Sequence, residues 1–164
     1  MSGLWFEEFK DGMVFNHEWS RTITETDNVW FSLLTMNVQP LHIDAHYAAK
    51  SEWGKPLVNS LFTLGLLIGM SVNDTTLNTT LANLGMSDVR FPKPLFQGDS
   101  VKARTTVRSK RESKTRTNEG IVNFYHEMIN QDGVVVATCE RAALMRKRPT
   151  GRSEERRVGK ECVP

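Results

Sequence analysis

The sequence predicts an α+β domain in which an antiparallel sheet wraps one long buried helix. Residues 60–70 are apolar on nearly every side, with Leu61, Phe62, Leu64, Leu66, Leu67, Ile68 and Met70 in one run, and a helix of that kind is buried all round. Val101, Ala103, Thr105 and Val107 alternate with Lys102, Arg104, Thr106 and Arg108, the pattern of a strand with one solvated face. Residues 121–129 and 134–145 read as a hairpin about Asn130-Gln-Asp-Gly133. Helices come early and strands late, so the helix has only a sheet to pack against.

The elements follow in order. Trp5, Phe6, Phe9 and Phe15 flank the turn-forming Asp11-Gly12 and form an aromatic cover for the core edge. His17 to Ile23 alternates as a short strand. Thr24 or Thr26 caps a helix running to about Thr35, with Val29, Trp30, Leu33 and Leu34 on one face. Pro40 holds Gln39 extended and prevents that helix from continuing, so Leu41 to Asp44 emerge as a directed loop. A short helix follows from about Ala45 to Glu52 and stops at Gly54. In the long helix, Gly65 and Gly69 cost helix propensity, which points to close approach of another backbone. Thr79–Leu84 and Ser87–Phe91 are two short strands separated by Gly85, and Ser109 to Gly120 is a charged connection.

Length and charge bound the class. The chain has 164 residues and a formal net charge of +2, enough for one domain with a real core and no bias toward disorder or nucleic acid. The basic stretches at residues 102–116 and from Arg146 onward lack interleaved aromatics and read as solvated surface. Only Cys139 and Cys162 occur, the first residues carry no secretory pattern, and the most apolar run is too interrupted to span a bilayer. A cytosolic protein without membrane contact is expected. The segment from Arg152 to Cys162 resembles the translation of a sequencing adapter, so residues 1–149 are read as the domain and 150–164 as a non-native, disordered tail.

The segment Asn37-Val-Gln-Pro-Leu-His-Ile-Asp44 carries the candidate chemistry. On an extended segment His42 and Asp44 point the same way, an imidazole and a carboxylate on one wall, fit to move protons near neutral pH. Asp44 could equally cap the helix that starts at Ala45, and His46 reads as a surface helix residue. His42, Asp44 and His46 are metal-ligand types, but no further cluster completes a site, and no metal is expected. The start of the long helix is a second candidate. With Asn59 or Ser60 as cap, the amides of Ser60 and Leu61 lack intrahelical partners and sit at the positive end of the helix dipole.

Asn-x-Gln-Pro-Leu-His-x-Asp, then Gly54-Lys-Pro-Leu-Val-Asn-Ser60, then Arg90-Phe-Pro-Lys-Pro-Leu-Phe-Gln-Gly-Asp99, resembles the MaoC-like dehydratases, which include the R-specific enoyl-CoA hydratases. The resemblance implies a hot-dog fold, homodimers or higher homo-oligomers joined edge to edge, and a hydro-lyase acting reversibly on a 2-enoyl-CoA or 3-hydroxyacyl-CoA thioester. Coenzyme A enters only as part of the substrate, with no other cofactor. It further implies His42 as acid/base, assisted by Asp44, and the Asn59, Ser60 and Leu61 helix start as oxyanion and substrate site. Lys55, Arg90 and Lys93 would meet the phosphates of coenzyme A. In the R-specific hydratases the motif reads Asp-x-Asn-Pro-Leu-His, with the aspartate and histidine as the catalytic pair. Here Asn37 and Gln39 stand instead, and an amide cannot act as a carboxylate base. Asn37 would then orient water or substrate, in a branch acting on branched or dicarboxylic short acyl groups. A hot-dog thioesterase and a non-catalytic acyl-CoA-binding subunit are the alternatives. The final strand, free in sequence order, is the candidate edge for dimerisation.

Overall fold

In the computed structural model, which describes residues 3–149, six antiparallel strands form one sheet and curve around helix α4 (Ser60–Thr75). The tail expected at 150–164 lies outside the described residues. The strands are β1 (Val14–Asn16), β2 (Arg21–Thr22), β3 (Thr80–Arg90), β4 (Ser100–Glu112), β5 (Glu119–Asn130) and β6 (Val135–Arg146). Their order is β1-β4-β5-β6-β3, with β2 also on β4. Helices α1 (Glu25–Leu34), α2 (Pro40–Ile43) and α3 (Ala45–Ala49) precede α4. The wrapped helix and the late hairpin are as the residue pattern predicts.

Alternation puts Val101, Ala103 and Val107 of β4, Val122, Phe124 and Met128 of β5, and Ala137, Cys139, Ala143 and Met145 of β6 on the inner face, all buried. The N-terminal aromatics close one end, where Phe9 meets Phe124 edge to face with centroids 5.4 Å apart. A polar row separates the two halves of this core. His17 Nδ1 lies 2.6 Å from Asp74 Oδ2, His17 Nε2 lies 2.8 Å from Thr105 Oγ1, and Thr105 Oγ1 lies 2.9 Å from His126 Nδ1. Beside it Arg141 is 6% exposed, and Nε and Nη1 of Arg141 and Nε2 of His126 have no partner among the described residues.

Several expectations are corrected. Helix α4 buries one face of the chain only, through Thr63, Leu67, Ser71 and Thr75. Its buried hydroxyls are satisfied by donation to the preceding turn: Thr63 to Asn59 O, Ser71 to Ile68 O and Thr75 to Ser71 O. Leu61 is 61% exposed, and a Cβ on Gly65 or Gly69 would meet nothing within 4 Å, so among the described residues no backbone outside the helix itself approaches those glycines. The final strand β6 is internal, paired on both sides, and among the described residues the long edge strand is β3, with the short β1 and β2 at the opposite edge. Strand β3 runs unbroken through Gly85, accommodating irregularity as register shifts and a left-handed Asp88 (φ 48°). The strand expected at His17 to Ile23 is replaced by short pieces on either side of Trp19, and the connection after β4 shrinks to residues 113–118.

Candidate active site

Helix α1 begins with a capping box, in which the Thr24 hydroxyl accepts from Asp27 N and the Asp27 carboxylate accepts from Thr24 N. Asn28 and Ser32, one turn apart, form its fully buried face. Asn28 Nδ2 donates to the carbonyls of His42 at 3.0 Å and Leu57 at 2.8 Å, while Asn28 Oδ1 accepts from Asn59 N at 2.8 Å. Asn59 Nδ2 donates to Ser32 Oγ. One buried amide therefore ties α1 to the histidine segment and to the start of α4.

The helix α1 ends at Thr35, ahead of Pro40. Met36 takes the left-handed conformation (φ 58°), Met36 N donates to Leu33 O and Asn37 N donates to Ser32 O, which together make a Schellman motif. Asn37 Oδ1 then accepts from Gln39 N. The backbone N–H and the side-chain oxygen of Asn37 both serve the turn, and Asn37 is not among the residues lining the cavity described below.

Pro40 opens α2 in the first helical position, where its missing N–H costs nothing. This corrects the loop expected over Leu41 to Asp44 and with it the shared wall. Side chains two apart on a helix diverge by about 200°. Asp44 is exposed and caps α3, accepting from Tyr47 N at 3.0 Å, while His42 faces inward. His42 Nδ1 lies 2.9 Å from the Leu57 carbonyl. A carbonyl only accepts, so Nδ1 carries the proton and Nε2 holds the lone pair of the neutral ring.

His42 lines a cavity of about 290 Å3 with Trp53, Ser60, Thr63, Phe91, Lys93 and Val136. The far wall is delivered by pairing: Val58 N donates to Leu95 O, and Leu57 bridges Phe96. Ser60 contributes the first residue of α4, and its amide has no hydrogen-bond partner among the described residues. The Leu61 amide, expected to share that role, donates to Asn59 Oδ1 at 3.0 Å. Asn59 itself is buried as the cap and does not line the cavity. Of the expected cations only Lys93 lines the cavity. Arg90 pairs with Asp88, and Lys55 Nζ lies 4.3 Å from the Phe96 ring centroid. The arrangement thus combines an imidazole, a hydroxyl and a helix N-terminus around an apolar space. Asn28, which the residue pattern alone did not single out, holds it together.

The chain matches the family model described as MaoC like domain over residues 8–127. It is 29% identical over 149 residues to a mesaconyl-CoA hydratase of Cereibacter sphaeroides, covering 91% of this chain and 43% of that protein. It is 30% identical over 146 residues to a beta-methylmalyl-CoA dehydratase of Chloroflexus aurantiacus, covering 89% and 41%. The chain thus spans about two fifths of the length of these curated relatives. Among solved structures, a monoamine oxidase regulatory protein from Archaeoglobus superposes with a TM-score of 0.79 at 33% identity, covering 91% of this chain and 98% of that one. A Mycobacterium tuberculosis protein described as a double hotdog fold gives 0.80 at 20% identity, covering 99% and 52%, and shows the fold.

Proposed function

The chain belongs to the MaoC-like domain family, and we propose that it is a hydratase/dehydratase that adds water reversibly to a 2-enoyl thioester of coenzyme A, with short branched or dicarboxylic acyl groups as the substrate class. The observation that carries this reading is His42, fixed through Nδ1 by the Leu57 carbonyl, on the same cavity as the start of α4. The names of the relatives fit it.

In this reading the acyl group lies in the cavity with its thioester oxygen toward Ser60. His42 Nε2 takes a proton from water as the water oxygen bonds to the β-carbon, and the alkene electrons move onto the thioester oxygen. The helix dipole and the Ser60 amide stabilise that developing charge. The imidazolium then returns its proton to the α-carbon, and the carbonyl re-forms. A cavity lined by Val58, Leu95 and Val136 excludes water from the enolate and strengthens both interactions. Lys93, Lys55 and Arg90 are kept as candidates for the charged parts of the substrate, with Lys93 nearest the cavity.

Homodimerisation belongs to the same proposal. The free edge of β3, with exposed Leu81, Leu84, Met86 and Val89, and the bare Gly65–Gly69 face of α4 are what a second copy or unit would cover. The proposal places the protein in the cytosol, consistent with the free, buried Cys139. Among the described residues no helix is long and apolar enough to cross a membrane.

A spectrophotometric assay across crotonyl, mesaconyl and itaconyl thioesters tests the function. Loss of enoyl absorbance without free thiol supports a hydratase. Thiol release would mean a thioesterase, and binding without turnover would mean a non-catalytic subunit.

A further inference from the structure

The cavity at His42 is too small for a whole coenzyme A thioester. At about 290 Å3 it sits at the bottom of the range of about 300–1,000 Å3 that encloses drug-sized ligands, and coenzyme A is larger than that class. Most of the carrier must therefore lie outside. Among the described residues Trp53 alone lines both the cavity and a second surface groove of about 400 Å3, formed with Leu41, Tyr47, Lys50, Ser51 and Glu52. Its indole is the partition between them.

The groove has the chemistry of a nucleotide seat. Tyr47 is 50% exposed and Trp53 is 38% exposed, and both line the groove, so a ligand there can reach two aromatic side chains. Trp53 also leans on Phe96 at 6.5 Å between centroids, and Lys55 sits over the same Phe96 ring. Among the described residues, neither Lys50 nor Lys55 is paired with a carboxylate. Aromatic faces stack on a purine whatever its sequence context, an ammonium meets phosphate oxygens as a point charge, and the Glu52 carboxylate offers an acceptor for an exocyclic amino group.

We propose that the groove of Tyr47, Lys50, Glu52 and Trp53 binds the phosphorylated adenosine end of the thioester carrier, with the pantetheine arm passing Trp53 into the cavity. This rests on the reading that the cavity takes a coenzyme A thioester, and it adds where the nucleotide lies and which residues hold it.

The test is calorimetric titration of adenosine 3′,5′-bisphosphate, which has neither acyl group nor pantetheine, into the wild-type protein and into Tyr47→Ala and Lys50→Glu. Each altered side chain is exposed, and melting temperatures check that both variants remain folded. The wild type is expected to bind, with each variant weakened about tenfold or more, the scale of one lost base stack. No binding to the wild type at millimolar nucleotide, or affinity unchanged in both variants, overturns the proposal. The two failures are separable. A protein that hydrates enoyl thioesters but ignores the nucleotide loses only this groove, whereas one that binds the nucleotide at these residues and never hydrates loses only the hydratase reading.

Discussion

Replacing Asn28 should damage stability and activity together, because one side chain holds three parts of the site. Asn28→Ala removes donation to the His42 and Leu57 carbonyls and acceptance from the Asn59 amide. The Asn59 amide is then left buried without a partner, a loss of about 1–3 kcal/mol. The two carbonyls each lose a hydrogen bond worth about 0.5–1.5 kcal/mol. Leu57 O keeps the His42 ring as a donor, so the terms overlap and a total of about 3 kcal/mol is expected. For a chain of this size that corresponds to a fall of about 6–12 °C in Tm. Urea denaturation followed by circular dichroism measures it. Asn28→Asp keeps the acceptor for Asn59 but turns a carboxylate oxygen toward two carbonyls, so it should be at least as destabilised at neutral pH. Turnover should fall in both variants, since the Leu57 carbonyl that orients His42 loses its own anchor. A loss below about 1 kcal/mol in Asn28→Ala would refute the reasoning, because a buried orphan amide alone exceeds that.

The remaining predictions concern titration and capping. Burial, with the Arg141 guanidinium and His17 adding to it, pushes the His126 imidazole from 6.5 down to about 3. Below pH 6.5 the unfolded chain takes up a proton that the folded chain refuses, so stability falls as pH drops toward 3, by about 1.4 kcal/mol per pH unit for this one group. Urea midpoints at pH 7.5, 5.5 and 4.5 should show that slope reduced in His126→Asn, and equal slopes would contradict it. Asp44→Ala should cost about 1 kcal/mol as a lost cap on α3, whereas Asp44→Ser should keep most of both stability and turnover. Turnover abolished in Asp44→Ser would return that carboxylate to the chemistry.

The fold was legible where pattern and physics coincide. Alternation in β4 and the Asn130–Gly133 turn each have one structural solution, and the apolar run of α4 marks a helix without saying how much of it this chain covers. Which strand becomes the edge was not legible, since sheet order is absent from any local pattern, and β6 reads as terminal in sequence while lying between β5 and β3. Likewise an apolar helix face reads the same whether its cover is this chain or another.

At the site, His42 and the capped start of α4 were visible from residue type and spacing. Asp44 and the Leu61 amide are placed differently from expectation by local geometry. A proline in front of Leu41 permits a helical turn as readily as an extended loop, and the helical turn sends His42 and Asp44 apart. Asn59 caps by taking the Leu61 amide. Asn28 was hidden because an asparagine inside a helix pattern looks like a weak helix former on a solvated face. Its partners lie 14, 29 and 31 residues away. The one available signal was its spacing from Ser32, a polar i,i+4 pair on a helix whose other face carries Trp30, Leu33 and Leu34.

The most direct measurement is turnover by His42→Asn. An asparagine amide nitrogen can stand near the position of Nδ1 and keep donating to the Leu57 carbonyl, while Nε2, whose lone pair takes the proton, is gone. With folding intact by circular dichroism and melting temperature, hydration of crotonyl-CoA should fall by about 100-fold to 10,000-fold, the usual contribution of a positioned acid/base. Turnover within about twofold of the wild type in a folded His42→Asn protein would contradict the assignment of His42.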